Sequence, residues 1–205
     1  MKKIIFFAGL FTFSVFASAQ NTALKATITQ KATSLESKVI TWRRDFHQNP
    51  ELGNREFKTA EKIAAHLRSL GIEVQTGVAK TGVVGILKGG KPGPVVALRA
   101  DIDALPIKER VNIPFASKAM GEYNGKIVPV MHACGHDGHT AYLMVLADCL
   151  IRLRDQWEGT IKIVHQHAEE MAPAGAKSIV ESGLLDDVDE IYGIHFYPDH
   201  EVVTV

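Results

Sequence analysis

Apolar residues recur at helical spacing in two segments after residue 32. The first segment opens with Thr33-Ser34-Leu35-Glu36, a sequence typical of a helix start, and its helix should end before Pro50. A second helix is predicted from about residue 55 to a stop at Gly71. Each segment carries one apolar face, so both helices should pack against a common core. The apolar positions of the first helix are Leu35, Val39, Trp42 and Phe46.

From residue 72 the pattern changes to short apolar runs that are separated by turns containing glycine and proline. Such runs are typical of strands, and two later segments have helical spacing again. Strands that alternate with helices predict an α/β fold with a layered, largely parallel sheet flanked by helices. The predicted strands cover residues 72–76, 83–88, 95–100, 161–165 and 190–195, and the later helices cover 139–154 and 174–182.

The first 19 residues have the pattern of a secretory signal peptide. Lys2 and Lys3 precede a mostly apolar run over residues 4–16, and Ala17-Ser18-Ala19 follows as a small-residue cleavage site. The apolar run is too short to span a bilayer. We therefore expect an exported protein with no membrane anchor, a flexible leader over residues 20–32, and the N-terminal portion of a catalytic domain over residues 33–205.

Composition supports a globular domain and argues against a nucleic-acid partner. The 205 residues are 46% hydrophobic and 22% charged, and their formal net charge is +0. A protein that binds nucleic acid usually has a basic surplus or a dense Lys/Arg run, and neither occurs here. The two cysteines, Cys134 and Cys149, lie too far apart along a predicted helix to form a disulfide.

Three polar clusters lie where predicted strands end. They cover residues 99–103, 132–139 and 165–170, and His195 closes the last predicted strand. Ligands of open α/β sheets bind beyond the carboxyl ends of the strands, so the clusters should converge on one crevice.

Thiol, imidazole and carboxylate groups together favour a metal site. Some of these residues have simpler structural explanations. Asp101-x-Asp103 could form a turn, Glu169-Glu170 could lie on a solvated face, and His195 could be a core histidine. The cluster around Cys134 has no comparable structural explanation, because three histidines, one cysteine and one aspartate lie within eight residues. The rival chemistry is a Cys134 nucleophile activated by a neighbouring histidine.

Four segments in the same order resemble the aminoacylase/carboxypeptidase-type metallohydrolases, in the branch of N-acyl-amino-acid amidohydrolases that includes hippurate hydrolases and auxin-conjugate hydrolases. The resemblance implies a zinc-exopeptidase-like catalytic domain with two divalent metal ions, and zinc, manganese, cobalt and nickel all remain open as their identity. The segments are Arg43-Arg44-Asp45-Phe46-His47-Gln48-Asn49-Pro50-Glu51-Leu52-Gly53, Arg99-Ala100-Asp101-Ile102-Asp103-Ala104-Leu105-Pro106, Met131-His132-Ala133-Cys134-Gly135-His136-Asp137-Gly138-His139 and Ala168-Glu169-Glu170.

The same resemblance implies a role for each site residue. Glu169 would be the general base, and Asp103 would orient a metal ligand. The resemblance gives less reason to assign a supporting role at the site to Asp101 and Asp137, and it leaves the role of His139 open. The implied metal ligands are Cys134 (as the bridge), His136, Glu170 and His195.

The chain departs from the family pattern in two ways. His167 stands where the branch commonly has proline, so His165 and His167 are either core histidines or auxiliary contacts to metal or substrate. The chain also stops at Val205, where the family's second domain should begin, which predicts a fragment or a truncated product. That domain often mediates dimerisation in the family, so the resemblance implies that the full-length parent is a homodimer. The expected activity is hydrolysis of small N-acyl amino acids, with a dipeptidase or carboxypeptidase, or a non-catalytic metal-binding remnant, as alternatives.

Overall fold

The N-terminal part of the chain is helical. The computed structural model describes residues 9–196, with side chains from residue 22 onward, and the chain divides into two compact units, residues 1–36 and residues 37–205. Helix α1 spans Gly9–Ser34, so residues 20–32, for which we expected a flexible leader, are helical. Alanine, leucine, lysine and glutamine have high helix propensity even without an apolar stripe, which explains this difference.

Part of the predicted signal peptide, residues 1–8, lies outside the described residues. Within residues 9–196, no helix combines the length and the apolar character that crossing a membrane requires. The export of the protein therefore stays a prediction.

The helices and strands predicted after residue 33 are all present, with boundaries shifted by a few residues. The structure adds a hairpin of two four-residue strands and a short 3-10 turn at Arg154–Gln156, neither of which the sequence pattern predicted. The elements after α1 are α2 (Glu36–Gln48), α3 (Phe57–Ser69), β1 (Glu73–Val78), β2 (Gly82–Lys88), β3 (Lys91–Asp101), β4 (Met120–Tyr123), β5 (Lys126–Pro129), α4 (His136–Arg152), β6 (Glu158–Gln166), α5 (Gly175–Glu181) and β7 (Glu190–Gly193).

The five-stranded sheet has the order β1-β2-β6-β3-β7, which confirms the α/β class but makes the sheet mixed. Strand β3 runs parallel to both β6 and β7, whereas β2 is antiparallel to β1 and β6. The antiparallel part follows from chain connectivity: β1 and β2 are joined by a short turn, and parallel neighbours need a longer crossover.

Each face of the sheet has its own apolar cluster. Val83 and Ile163 belong to the larger cluster, which includes buried residues of α3 and α4. Their neighbours along the strands, Val84 and Val164, belong to a second cluster with Ile179 of α5. Successive strand residues point to opposite faces, so α3 and α4 cover one face and α5 covers the other.

Strand pairing brings the polar clusters to one edge of the sheet. Asp101 at the end of β3 pairs with Gln166 at the end of β6, three residues before Glu169. Strand β7 lies on the other side of β3 and leads to His195. Helix α4 begins at His136, directly after Gly135, whose φ of +94° is in the region that favours glycine.

Candidate metal centre

Two groups of metal-ligating side chains share His136. In each group the potential ligand atoms lie within 4.8 Å of one another. The Cys134 Sγ is also 3.6 Å from His195 Nε2, so all four ligands implied by the resemblance lie in one cluster. The first group is Cys134, His136 and Glu170, and the second is Asp101, His136, His139 and His195.

His136 is fully buried and turns one ring nitrogen towards carboxylates. Its Nδ1 lies 2.9 Å from the Asp103 carbonyl oxygen, which can only accept, so the proton of the neutral ring is on Nδ1. Its Nε2 lies 3.6 Å from Asp101 Oδ2 and 3.9 Å from a carboxylate oxygen of both Glu169 and Glu170. Nε2 is therefore available to a metal ion.

Asp103 contacts two of the implied ligand residues. Its Oδ1 lies 3.3 Å from His136 Nδ1, and its Oδ2 accepts a 3.0 Å hydrogen bond from the Glu170 backbone N–H. This arrangement suits the predicted orienting role, because a second partner on the far ring nitrogen fixes the direction of a ligating imidazole.

The turn that carries Glu169 and Glu170 is held by Glu56, which our sequence analysis missed. Ala168 has a φ of +46° at this turn, and its N–H donates a 2.8 Å hydrogen bond to Glu56 Oε1. The Thr81 hydroxyl donates to Glu56 Oε2 at 2.6 Å. The Glu169 side chain is 41% exposed and that of Glu170 is 21% exposed, so the first reaches solvent while the second faces the cluster.

Replacing Glu56 with alanine should destabilise the protein by about 3 kcal/mol. The substitution leaves two buried donors unpaired, and each costs roughly 1–3 kcal/mol. Burial also raises the pKa of Glu56, so Glu56→Gln, which keeps an acceptor for Ala168, should cost less than about 1 kcal/mol. Urea unfolding of both variants measures the difference, and equal stability of the two would contradict the role of these hydrogen bonds.

Asp137 points away from the cluster and anchors the first turn of α4. Its Oδ2 lies 2.9 Å from Arg43 Nε and 2.8 Å from His47 Nδ1. The other ring nitrogen of His47 lies 2.8 Å from Glu109 Oε2. Hydrogen bonding to Asp137 and Glu109 raises the pKa of His47 despite its burial. The Arg43 and His47 spacing on one helix face was the available sequence signal, because residues i and i+4 are neighbours there.

Asp101 is more central than its sequence indicated. Its Oδ1 lies 2.6 Å from His139 Nδ1, and its Oδ2 lies 2.9 Å from Arg99 Nη1. Burial alone would raise the pKa of Asp101, but the hydrogen bond from His139 and the charges of His136 and Arg99 lower it to about 2. Asp101 is therefore a carboxylate at neutral pH.

His132, His165 and His167 also lie outside both ligand groups. Burial lowers the pKa of His165 to about 3 and that of His132 to about 4, so both rings are neutral. In the described part of the chain, neither ring has a hydrogen-bond partner, and His167 Nδ1 lacks one too. Neither nitrogen of His165 therefore has, among the described residues, the hydrogen bond that a core histidine usually makes.

The donor set fits divalent cations. His136 Nε2 and Glu170 Oε1 are buried and have no hydrogen-bond partner among residues 9–196, and the buried Asp101 Oδ2 beside them is paired with Arg99. Burial, followed by the hydrogen bond and charge of Glu170 and the charge of Glu169, raises the pKa of Cys134 to about 12. A thiol in this setting stays protonated unless a cation is present, and a bound metal ion reverses that preference. The cysteine-nucleophile alternative needs a thiolate and is disfavoured.

Comparison with known proteins identifies the family. Residues 97–205 match Peptidase family M20/M25/M40. An N-acyl-L-amino acid amidohydrolase of Geobacillus stearothermophilus is 44% identical over 173 residues, which cover 84% of this chain and 45% of the relative. Thermostable carboxypeptidase 2 of Saccharolobus solfataricus is 45% identical over 175 residues, covering 83% of this chain and 42% of the relative.

A solved structure shows the same similarity. The Bacillus subtilis YXEP protein, a dinuclear metal-binding peptidase of the M20 family, superposes with a TM-score of 0.73 at 43% identity. The match covers 82% of this chain and 44% of that one. The chain thus spans less than half the length of the relatives that it matches.

Proposed function

Because the chain belongs to peptidase family M20/M25/M40, we propose that the protein is a metal-dependent amidohydrolase that cleaves N-acyl amino acids into a carboxylic acid and a free amino acid. The observation that carries this proposal is the pairing of a partly buried ligand cluster with a solvent-reaching carboxylate, Glu169, at its edge. Binding alone would need the cluster but would not need a base beside it.

Cys134, His136, Glu170 and His195 would hold two divalent ions. When bound, such ions supply Lewis acidity and lower the pKa of water. Cysteine, histidine and glutamate together suit zinc, and imidazole with carboxylate also admits manganese, cobalt or nickel. Elemental analysis of the purified protein therefore has to identify the metal.

Glu169 would act as the general base and then as the general acid. Its Oε2 lies 3.9 Å from His136 Nε2, beside the cluster, and its side chain also reaches solvent. It can take a proton from the attacking water and deliver that proton to the nitrogen of the leaving amine. Asp103 and Glu56 support this chemistry by holding the turn and the ligand directions described above.

A carboxypeptidase or dipeptidase activity is the second candidate. The similarity to a thermostable carboxypeptidase supports it, because that relative shares as much of this chain as the amidohydrolase does. The two activities break the same kind of bond, so the site chemistry is common to both. Only the group on the acyl side of the amide distinguishes them.

The deciding experiment combines metal analysis with a substrate panel. The full-length protein is purified, its metal content is determined by elemental analysis, and turnover is measured on N-acetyl and N-benzoyl amino acids and on dipeptides. We expect two ions per chain, loss of activity with a chelator, and the highest kcat/KM on N-acyl amino acids. Higher kcat/KM on dipeptides would favour the peptidase, and a metal-free folded protein would refute the proposal.

We also propose that the protein is exported, with cleavage after Ala19. The support is the basic, apolar and small-residue sequence of the first 19 residues. Sequencing the N-terminus of the protein recovered from the native cell envelope or medium checks this. A protein that begins at Met1 and stays in the cytosol would contradict it.

The homodimer expected from the resemblance stays a prediction that light scattering can check.

A further inference from the structure

Both ring nitrogens of His139 are engaged by other groups. His139 is fully buried, and its Nδ1 lies 2.6 Å from Asp101 Oδ1. Its Nε2 accepts a 3.0 Å hydrogen bond from the backbone N–H of Phe196. A backbone N–H can only donate, so Nε2 carries no proton and the proton of the neutral ring lies on Nδ1, facing the Asp101 carboxylate.

This hydrogen bond removes the lone pair that a metal ion would need. The ligand atoms of His139 lie close enough to His136 and His195 for His139 to join them around an ion. However, Nε2 already accepts from Phe196, and Nδ1 donates to Asp101. His139 is thus placed among the ligands while its own nitrogens point to other partners.

The Phe196 side chain is seated on the same region. Its ring lies 4.9 Å from the His139 ring, centroid to centroid. It also packs over two glycines: a Cβ at Gly135 would lie 3.2 Å from Phe196 Cδ2, and a Cβ at Gly138 would overlap Phe196 Cε2. The absence of side chains at these glycines makes room for the ring. Phe196 is therefore held through its backbone by His139 and through its ring by the start of α4.

His195 depends on this attachment because it lies beyond regular structure. Strand β7 ends at Gly193, and the His195 Nδ1 makes a local contact, 2.7 Å from the carbonyl oxygen of Phe196. Its ring lies 4.5 Å from the His139 ring, centroid to centroid, and its Nε2 reaches Cys134 Sγ at 3.6 Å. The fixed position of Phe196 thus determines where the His195 ring can lie.

We propose that His139 is a positioning residue and not a metal ligand: bound to Asp101 on one side, it holds the Phe196 backbone and thereby places His195 in the cluster. This inference rests on the proposed metal centre. It assigns a role to a histidine that the resemblance left open. It also explains why Asp101, although close to the cluster, directs one carboxylate oxygen away from His136 and towards His139.

The first test uses the unaltered full-length protein. It is labelled with ¹⁵N-histidine, loaded with ¹¹³Cd²⁺, and examined by NMR for coupling between the metal and each ring nitrogen. We expect coupling at His136 and His195, none at His139, and a proton on His139 Nδ1 with and without cadmium. Coupling to His139 would overturn the inference while supporting the metal centre. Absence of cadmium from all three histidines would overturn both.

The second test compares two substitutions at one position by cadmium titration. Loss of a group that orients a ligand typically weakens metal binding 10–100-fold, so we expect this range for His139→Ala. His139→Gln should remain within about threefold of the parent, because its amide oxygen can accept from Phe196 and its NH₂ can donate to Asp101. An alanine variant that binds as tightly as the parent, or a glutamine variant as weak as alanine, would contradict the proposed role.

Two further variants separate positioning from general stability. Gly138→Ala displaces the Phe196 ring without altering His139, so it should weaken cadmium binding as His139→Ala does. His66→Gln is the matched control: His66 is also buried, its Nε2 lies 3.0 Å from Asp148 Oδ2, and it belongs to neither ligand group. We expect the control to lower thermal stability but to leave cadmium affinity within about twofold. Binding that is weakened as much in the control as in His139→Ala would point to a purely structural effect and overturn the inference.

Discussion

Replacing Glu169 with glutamine is expected to lower kcat about 10³-fold and to leave the bound metal unchanged. A positioned general base contributes roughly 10²–10⁴-fold to such reactions, and glutamine keeps the size of the side chain but cannot take a proton. The Glu169 side chain is 41% exposed, whereas those of the implied ligands Glu170 and His136 are 21% and 0% exposed. Turnover on an N-acyl amino acid and elemental analysis of the same sample measure the two quantities.

Two other glutamates provide the controls. Glu122→Gln changes an exposed carboxylate whose nearest described partner is Arg55 at 3.9 Å, so activity and metal content should both match the parent. Glu170→Gln removes an implied ligand and should lower metal content as well as activity. A Glu169→Gln variant that retains turnover would refute the general-base assignment, and one that loses metal would make Glu169 a ligand.

In the metal-stripped protein, Cys134 is expected to react about 30-fold more slowly with a disulfide reagent than an ordinary thiol does. Burial, followed by the hydrogen bond and charge of Glu170, raises the pKa of Cys134 from 9.0 to about 12. The raised pKa lowers the thiolate fraction at pH 8 about 1000-fold. A more basic thiolate is a stronger nucleophile, which increases the rate per thiolate roughly 30-fold, so the net reaction is about 30-fold slower. Partial burial should slow the reaction further.

The rate is followed by mass spectrometry, which distinguishes Cys134 from Cys149, between pH 7 and pH 10. Because the pKa is raised, the rate should increase about tenfold per pH unit without a plateau in this range. The same thiol in urea is the reference, and Glu170→Gln should accelerate the reaction in the folded protein. A fast reaction that levels off below pH 8 would instead indicate a stabilised thiolate and revive the cysteine-nucleophile alternative.

The main elements of the fold were predictable because their apolar spacing is strong. Helix α3 has six buried residues within 13, and that periodic face is visible in the sequence as a run ending near Gly71. The β4–β5 hairpin was not predicted, because each strand has only four residues and because its apolar residues Met120 and Ile127 are exposed. Such short strands are defined by their mutual pairing, which local patterning does not reveal.

The candidate site was predictable in residue type but not in arrangement. Cys134 and His136 stand out because cysteine and histidines are concentrated in one turn. Glu56 could not be found in this way: it lies 112 residues from Ala168 along the chain, and a single glutamate at a helix start carries no sign of a distant partner. The same holds for Glu109, whose contact with His47 joins a loop to α2.

The sequence by itself determined which chemistry the protein can perform, because thiol, imidazole and carboxylate groups are concentrated where predicted strands end. It also determined most helices and strands, since these follow from the spacing of apolar residues along the chain. Only the tertiary structure decided which donors face the cluster and which support it. His136 and His139 lie three residues apart on one helix, yet one ring points Nε2 into the cluster and the other accepts from Phe196. That difference arises from residues brought together by β3, β7 and α4, and contacts between distant segments are set by packing and not by local sequence.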